Sequence, residues 1–370
     1  MENLKEMNTS TRVLMGPGPS EVHPRVLRTM ATPLVGHLDP EFLVVMDDIK
    51  SMTQATLQTN NPLTFVVSAP GSAGMETCLV NLLEPGDEAV ICIHGVFGTR
   101  LADIAERCGA KVIKVEADWG TPIDPEEVKQ ALAGCKPKLL AIVHAETSTG
   151  VLQPLEEISK MTKDAGALLV VDAVTSYCGT DLKVDEWGID ALYSGSQKCL
   201  SAPPGLSPVT FSQDAVDVLD NRKTKVQSWF LDLTMVKNYW SGAKRAYHHT
   251  APISAMFAMR EALRIVLEEG LENRFARHRK NHELLRDGLE GLGFEFLVEK
   301  QYRLPMLNAV RIPEGVDEAL VRKRLLDEYN IEIGGGLGPY AGKIWRIGLM
   351  GESATPNHVN MLMAALKAII

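Results

Sequence analysis

The chain has 370 residues, 45% of them hydrophobic, enough for one large or two smaller packed domains and too many for a disordered chain. Its formal charge of -9 comes from acidic residues spread along the sequence, which argues against a general attraction to nucleic acid or to an anionic membrane. An anionic ligand would therefore need a local basic pocket.

In chain order, Met15-Gly-Pro-Gly-Pro-Ser20 is too rich in Gly and Pro for a helix or a central strand and marks a stiff turn. From residue 64 to residue 212, short β-branched runs alternate with amphipathic stretches. Strands are predicted at 64–68, 88–93, 111–115, 138–143, 168–172 and 191–196, and helices at 98–108, 125–133 and 154–164. The last two helices open with Pro, and all three meet a Gly within two residues of their ends, as helix boundaries prefer. Such alternation implies an α/β domain with a mostly parallel sheet covered by helices on both faces. Ligands in such sheets sit at the C-terminal ends of the strands.

Past Ile253 the rhythm changes. A helix over 253–269 stops at Gly270 and a charged one follows over 271–292. Short strands at 294–298, 308–312, 331–333 and 344–347 alternate with helices near 317–329 and 356–369. This reads as a smaller C-terminal α+β domain, giving an N-terminal arm over 1–20, a large domain over 21–270 and a small one over 271–370.

Six cysteines at 78, 92, 108, 135, 178 and 199 form no CxxC pair and read as buried thiols of a reducing compartment. Residues 1–11 are polar and mixed in charge, unlike a secretory signal, and no apolar run nears the roughly 20 residues of a membrane span. The expectation is a cytoplasmic protein.

The chemistry concentrates after the strands. Lys198 closes Tyr193-Ser-Gly-Ser-Gln-Lys198 and precedes Cys199-Leu-Ser-Ala-Pro-Pro-Gly205, which places its amine beyond a strand end. A lysine there becomes a nucleophile if its surroundings lower its pKa; otherwise it is an ordinary surface lysine. Asp172 tips the apolar run Leu168-Leu-Val-Val-Asp172. It reads alone as a helix N-cap, or as a buried carboxylate that needs a cationic partner such as a protonated pyridine nitrogen. The two residues are separated by 198 − 172 = 26 positions, room for one crossover between neighbouring strands.

Pro70-Gly-Ser-Ala-Gly74 opens a helix after a strand, so Gly71 and Ser72 can present backbone amides to a phosphate. Phe97 could stack on a ring or fill the core, and Thr147 and Thr149 could bond a ring oxygen or start a turn. The adjacent His248 and His249 lack a third ligand at zinc spacing, so no metal is expected, whereas Tyr247 and Thr250 beside them carry hydroxyls suited to phosphate. Arg346, in the predicted strand after Gly334-Gly-Gly-Leu-Gly-Pro339, offers a fork for a carboxylate or else an ordinary ion pair.

Taken together, these segments resemble the class V, fold-type I pyridoxal-phosphate aminotransferases, and most closely the alanine–glyoxylate/serine–pyruvate group. The likeness extends from Gly16-Pro-Gly-Pro-Ser20 to Arg346-Ile-Gly-Leu349. It includes Arg222-Lys-Thr-Lys225, Tyr247-His-His-Thr250 and Gly335-Gly-Leu-Gly-Pro339. The resemblance implies pyridoxal 5'-phosphate bound to Lys198, Asp172 on the pyridine nitrogen and Arg346 on the substrate carboxylate, with Gly18 also at the substrate. It implies Gly71, Ser72 and Gln197 on the phosphate, Thr147 near the ring oxygen, and Tyr247 and Thr250 reaching the phosphate from a second subunit. A homodimer with shared sites follows, the N-terminal residues lying over the partner. Two positions depart from the pattern: Phe97 stands where tryptophan is frequent, and Ser72 where some relatives have histidine.

The expected reaction is a ping-pong transfer of an amino group from alanine or serine to glyoxylate or pyruvate. A related group uses ureidoglycine as donor and stays open as an alternative. A cysteine desulfurase would need a cysteine in the mobile loop over 334–342, which has none, and would carry histidine where Gln197 stands. A binding protein that had lost its chemistry would be expected to lose Lys198 or Asp172, and both are present.

Overall fold

A strand buried on both faces needs apolar side chains at every position, not at alternate ones. The run β4 (Leu139–Val143) meets that condition, and β1 (Leu63–Val67) and β5 (Leu168–Asp172) depart from it at one residue each, Thr64 and Asp172; all five residues of each run are buried. In the computed structural model, which describes residues 7–241 and 245–370, they join β2 (Glu88–Ile93), β3 (Lys111–Glu116), β6 (Ala191–Tyr193) and β7 (Ser207–Phe211). The resulting seven-stranded sheet has the order β1-β7-β6-β5-β4-β2-β3. Six strands are parallel; β7 runs antiparallel between β1 and β6.

Helices cover this sheet, and their starts follow local chemistry. In α1 (Pro40–Leu57) the Asp39 carboxylate accepts from the Glu41 amide, and Pro40 occupies a first-turn position where no amide is missed. Helix α1 buries Phe42, Met46 and Ile49, and Phe42 meets Phe257 of α6 (Ile253–Glu269) edge-on at 6.4 Å. Each such side chain contributes roughly 1.5–3 kcal/mol on burial. Two further helices lead out of strand ends: α2 (Gly71–Leu82) after β1 and α3 (Val96–Arg107) after β2. On the way back to the sheet run α4 (Pro125–Ala133) and α5 (Glu156–Asp164).

The smaller C-terminal α+β part has its own apolar cluster around Trp345, Leu325 and Leu362. Its antiparallel sheet has the order β8 (Leu307–Arg311), β10 (Ile344–Gly348), β9 (Gly334–Gly335). Against it lie α7 (Leu271–Glu290), α8 (Glu318–Tyr329) and α9 (Pro356–Ile369). The N-terminal segment adds to this part: Val13–Leu14 pairs in parallel with Ile331–Glu332, Met15 is fully buried in the cluster, and the Gly348 amide donates to the Met15 carbonyl. Residues 13–20 therefore rest on their own chain, while residues 7–11 are exposed.

Several elements differ from the sequence expectation. Residues 294–298 form no strand; Phe296 alone bridges to Val310, because Phe294 turns into the small cluster against Trp345. The strand expected at 191–196 ends at Tyr193; beyond it the Ser194 and Ser196 amides still donate to the Pro208 and Leu206 carbonyls, while their hydroxyls donate to the carbonyls of Ala173 and Pro203. Helix α3 begins two residues early, so Phe97 lies in its first turn. Among the described residues no helix is long and apolar enough to cross a membrane.

Candidate active site

Parallel strands bring their C-terminal ends to one edge of the sheet, and the residues beyond them converge there. Gly71, Ser72, Phe97, Asp172, Gln197 and Lys198 line a single cavity of about 240 Å³, together with Met75, Arg100, Val174 and Tyr193. A larger cleft of about 500 Å³, beside Asp87, Lys138 and Asp190, opens at the opposite ends of the strands, where open sheets of this kind do not place their ligands.

Asp172 is buried at the end of β5, paired across the ladder with Tyr193 of β6. One carboxylate oxygen accepts from the Val174 amide at 2.8 Å and the other from the Tyr193 hydroxyl at 2.7 Å. Burial nevertheless raises its pKa to about 6, since two neutral donors do not replace water around a full charge. Among the described residues no cation pairs with it, so the carboxylate faces the cavity with charge to share.

Lys198 lies beyond β6 in the Gly195-Ser-Gln-Lys198 turn. Burial is the main cause that pushes its amine down to about 8; Arg346 adds to the effect, and Cys199, Asp172 and Glu146 oppose it. The amine donates to the carbonyl of Pro17. Gly18, at φ +104, passes so close that a Cβ there would lie 2.7 Å from the lysine Nζ. Ser20 locks this approach: its amide donates to the Gln197 carbonyl and its hydroxyl to the Lys198 carbonyl, at 2.9 and 2.7 Å. The Gly-Pro turn is thus a wall of the lysine's site. Gln197 keeps a buried Oε1 with no donor.

Arg346, buried in β10, directs its Nε to the Gly335 carbonyl at 2.7 Å and its Nη1 to the Thr147 carbonyl at 3.1 Å. Burial lowers its pKa, with Glu146 opposing, and among the described residues it makes no ion pair. Thr147 is buried and touches Arg346 through its backbone; Thr149 is buried with an unpartnered hydroxyl.

The fully buried Glu146, not singled out from sequence, accepts from the Ser148 amide and hydroxyl and from the Phe97 amide. It therefore holds the first turn of α3, which carries the Phe97 ring, and the turn that carries Thr147. Its carboxyl lies above its usual range because of burial. Arg100 and Tyr193 were also missed. Arg100 had one signal, its place three residues after Phe97 on one helical face.

Tyr247 and Thr250 are exposed and do not line this cavity. Next to them His248 stacks on Trp229, and His249 bonds the Ser68 hydroxyl at 2.7 Å. Among the described residues no group of three or more His, Cys, Asp or Glu is arranged to hold a metal. All six cysteines are unpaired, five buried and Cys135 half-buried; Cys199 donates to the Thr175 carbonyl and is not part of the cavity lining.

The donor set suits a phosphorylated pyridine aldehyde: a buried amine of lowered pKa, a buried carboxylate without a cation, a half-buried aromatic ring and a helix start with Pro70 as its cap. Fold and site together define a pyridoxal-phosphate-dependent transferase of fold type I. The sequence pattern of the family described as aminotransferase class-V matches residues 18–342, and the chain belongs to that family. It is 40% identical to (S)-ureidoglycine–glyoxylate transaminase of Bacillus subtilis (strain 168), over 100% of this chain and 93% of that one. It is 42% identical to alanine–glyoxylate aminotransferase of Felis catus, over 98% of this chain and 89% of that one. The crystal structure of alanine–glyoxylate aminotransferase from Nostoc sp. superposes with a TM-score of 0.97 at 49% identity, covering 99% of this chain and 97% of that one. The protein is a pyridoxal-phosphate-dependent transaminase.

Proposed function

We propose that this transaminase moves the amino group of alanine or serine to glyoxylate or pyruvate by a ping-pong mechanism, with Lys198 as the residue that binds the cofactor. The observation that carries this reading is the joint placement of the Lys198 amine and the Asp172 carboxylate in one cavity at the sheet's C-terminal edge. Bound there, the cofactor supplies an aldehyde for the amino group and a ring that withdraws electrons.

The chain's own groups do the rest. With its pKa near 8, the Lys198 Nζ is partly unprotonated at neutral pH and can take the proton from the substrate's α-carbon. Asp172 keeps a proton on the ring nitrogen, a cation that would in turn offset the cost of burying the carboxylate. Phe97 stacks on the ring, Gly71, Ser72 and Gln197 hold the phosphate, and Thr147 lies near the ring oxygen. Arg346 grips the substrate carboxylate, with Gly18 lining the approach. Tyr247 and Thr250, exposed on their own chain, serve the cavity of a second copy in a homodimer whose N-terminal residues reach the partner. The chain divides near Gly270, a reading supported by its two apolar clusters. Unpaired cysteines suit a reducing, cytoplasmic setting.

The second reading, (S)-ureidoglycine as amino donor, is favoured by the Bacillus subtilis relative. A donor panel on the holoenzyme, with glyoxylate as acceptor and keto-acid formation as the signal, separates the two. Turnover with alanine or serine supports the first reading. Turnover with ureidoglycine alone replaces it with the second. Failure of any amine to change the cofactor's visible absorption would overturn the role of Lys198.

A further inference from the structure

We propose that Arg100 is the cation that neutralises the cofactor's phosphate. This rests on the cavity's assignment above and extends it to a residue that no part of that assignment uses.

The argument begins with charge. A phosphate monoester carries about −1.5 to −2 at neutral pH. The candidate phosphate residues Gly71, Ser72 and Gln197 are all neutral, and the start of α2 supplies the equivalent of roughly +0.5. Asp172 and the buried Glu146 add negative charge nearby, and the Lys198 amine is committed to the aldehyde end of the ring. Arg100 is the remaining cation in the cavity wall.

Its geometry fits the task. Arg100 lies one turn after Phe97 on α3, with its guanidinium carbon 5.0 Å from the centre of that ring. Its Nη1 donates to the Ser72 hydroxyl at 3.2 Å, at the opening turn of α2. Among the described residues it has no carboxylate partner, so its remaining donors are free for an anion. Pro70, the cap of α2, makes no side-chain hydrogen bond to the first-turn amides. Helix start, Ser72 hydroxyl and guanidinium thus meet at one place, and a planar fork of donors is the side chain best matched to phosphate oxygens.

The test compares pyridoxal 5'-phosphate with pyridoxal, which has the same ring and aldehyde but no phosphate. Both are titrated into wild type, Arg100→Met and Arg100→Lys by fluorescence quenching, and the release rate from each holoenzyme is followed separately. Arg100 is exposed, so both variants should fold, which far-ultraviolet circular dichroism checks. The expected result is a loss of tenfold or more in affinity for the phosphorylated ligand in Arg100→Met, with pyridoxal unchanged and Arg100→Lys intermediate. A smaller loss overturns the proposal. So does an equal loss for both ligands, which would make Arg100 a support for the Phe97 ring alone. Lys198→Ala separates the two layers: if the absorption of covalently attached cofactor persists in that variant, the cavity's assignment fails, whatever Arg100 does.

Discussion

Replacing Asp172 by Asn should stabilise the cofactor-free protein while removing its catalysis. The carboxyl is isosteric with the amide, and Asn can still accept from the Val174 amide and place its NH2 toward the Tyr193 hydroxyl. What disappears is the cost of a buried charge. Folding moves this group from an ordinary 3.8 to about 6. At about 1.36 kcal/mol per tenfold, that difference is roughly 3 kcal/mol. Between those two values the folded protein holds a proton that the unfolded chain has released, so stability falls as pH rises through the window. Above pH 6 the full cost is present; below pH 4 it is gone. With a melting entropy of about 2.1 cal/mol/K per residue, 3 kcal/mol corresponds to a shift of about 4 °C for a chain of this length. Differential scanning fluorimetry of the two cofactor-free proteins at pH 8 and pH 4 should show Asp172→Asn melting about 4 °C higher at pH 8, with the gap closing at pH 4. An equal gap at both pH values, or a less stable variant at pH 8, would refute the reasoning. With cofactor bound the order should reverse, because the ring nitrogen then supplies the missing cation.

Four further outcomes are expected. Arg346→Ala should raise KM for carboxylate donors by about 10- to 150-fold, the worth of one charge-assisted hydrogen-bonding group; cofactor affinity measured by fluorescence should stay unchanged. In Gly18→Ala, a methyl group 2.7 Å from the Lys198 amine at φ +104 should strain the turn and reduce covalent attachment of the cofactor at least tenfold, read from visible absorption. Glu146→Gln must turn an NH2 group toward either the Phe97 amide or the Ser148 amide, and should cost about 1–3 kcal/mol, visible as a melting temperature a few degrees lower. Finally, the rate at which the cofactor-free protein captures pyridoxal 5'-phosphate should rise as pH passes 8, where half of the Lys198 amine is unprotonated. A rise centred near the ordinary lysine value instead would show that the amine is not desolvated.

Much was legible in the sequence because its signals are local. Runs such as Leu168–Asp172, apolar at every position until the final carboxylate, name a fully buried strand and the residue at its tip at once. Pro at helix starts and Gly beyond helix ends bound α4 and α6 within a few residues. Gly71, Ser72, Phe97, Asp172 and Lys198 each end or follow a strand-like run, the family resemblance adds Gln197, and one cavity is lined by all six. What only the tertiary structure decided involves partners far apart in the chain. The antiparallel strand Ser207–Phe211 sits between Leu63–Val67 and Ala191–Tyr193, a place set by the pairing of whole strands and invisible to local periodicity. Residues 294–298 have a strand's composition but lose the ladder to packing against Trp345. Gly18 meets Lys198 across 180 residues, Arg346 meets Thr147 across 199, and Glu146 reaches back 49 residues to the Phe97 amide. No short window of sequence contains both members of such pairs. Their meeting depends on which strand lies beside which, and on buried polar groups finding their partners wherever the closed chain brings them.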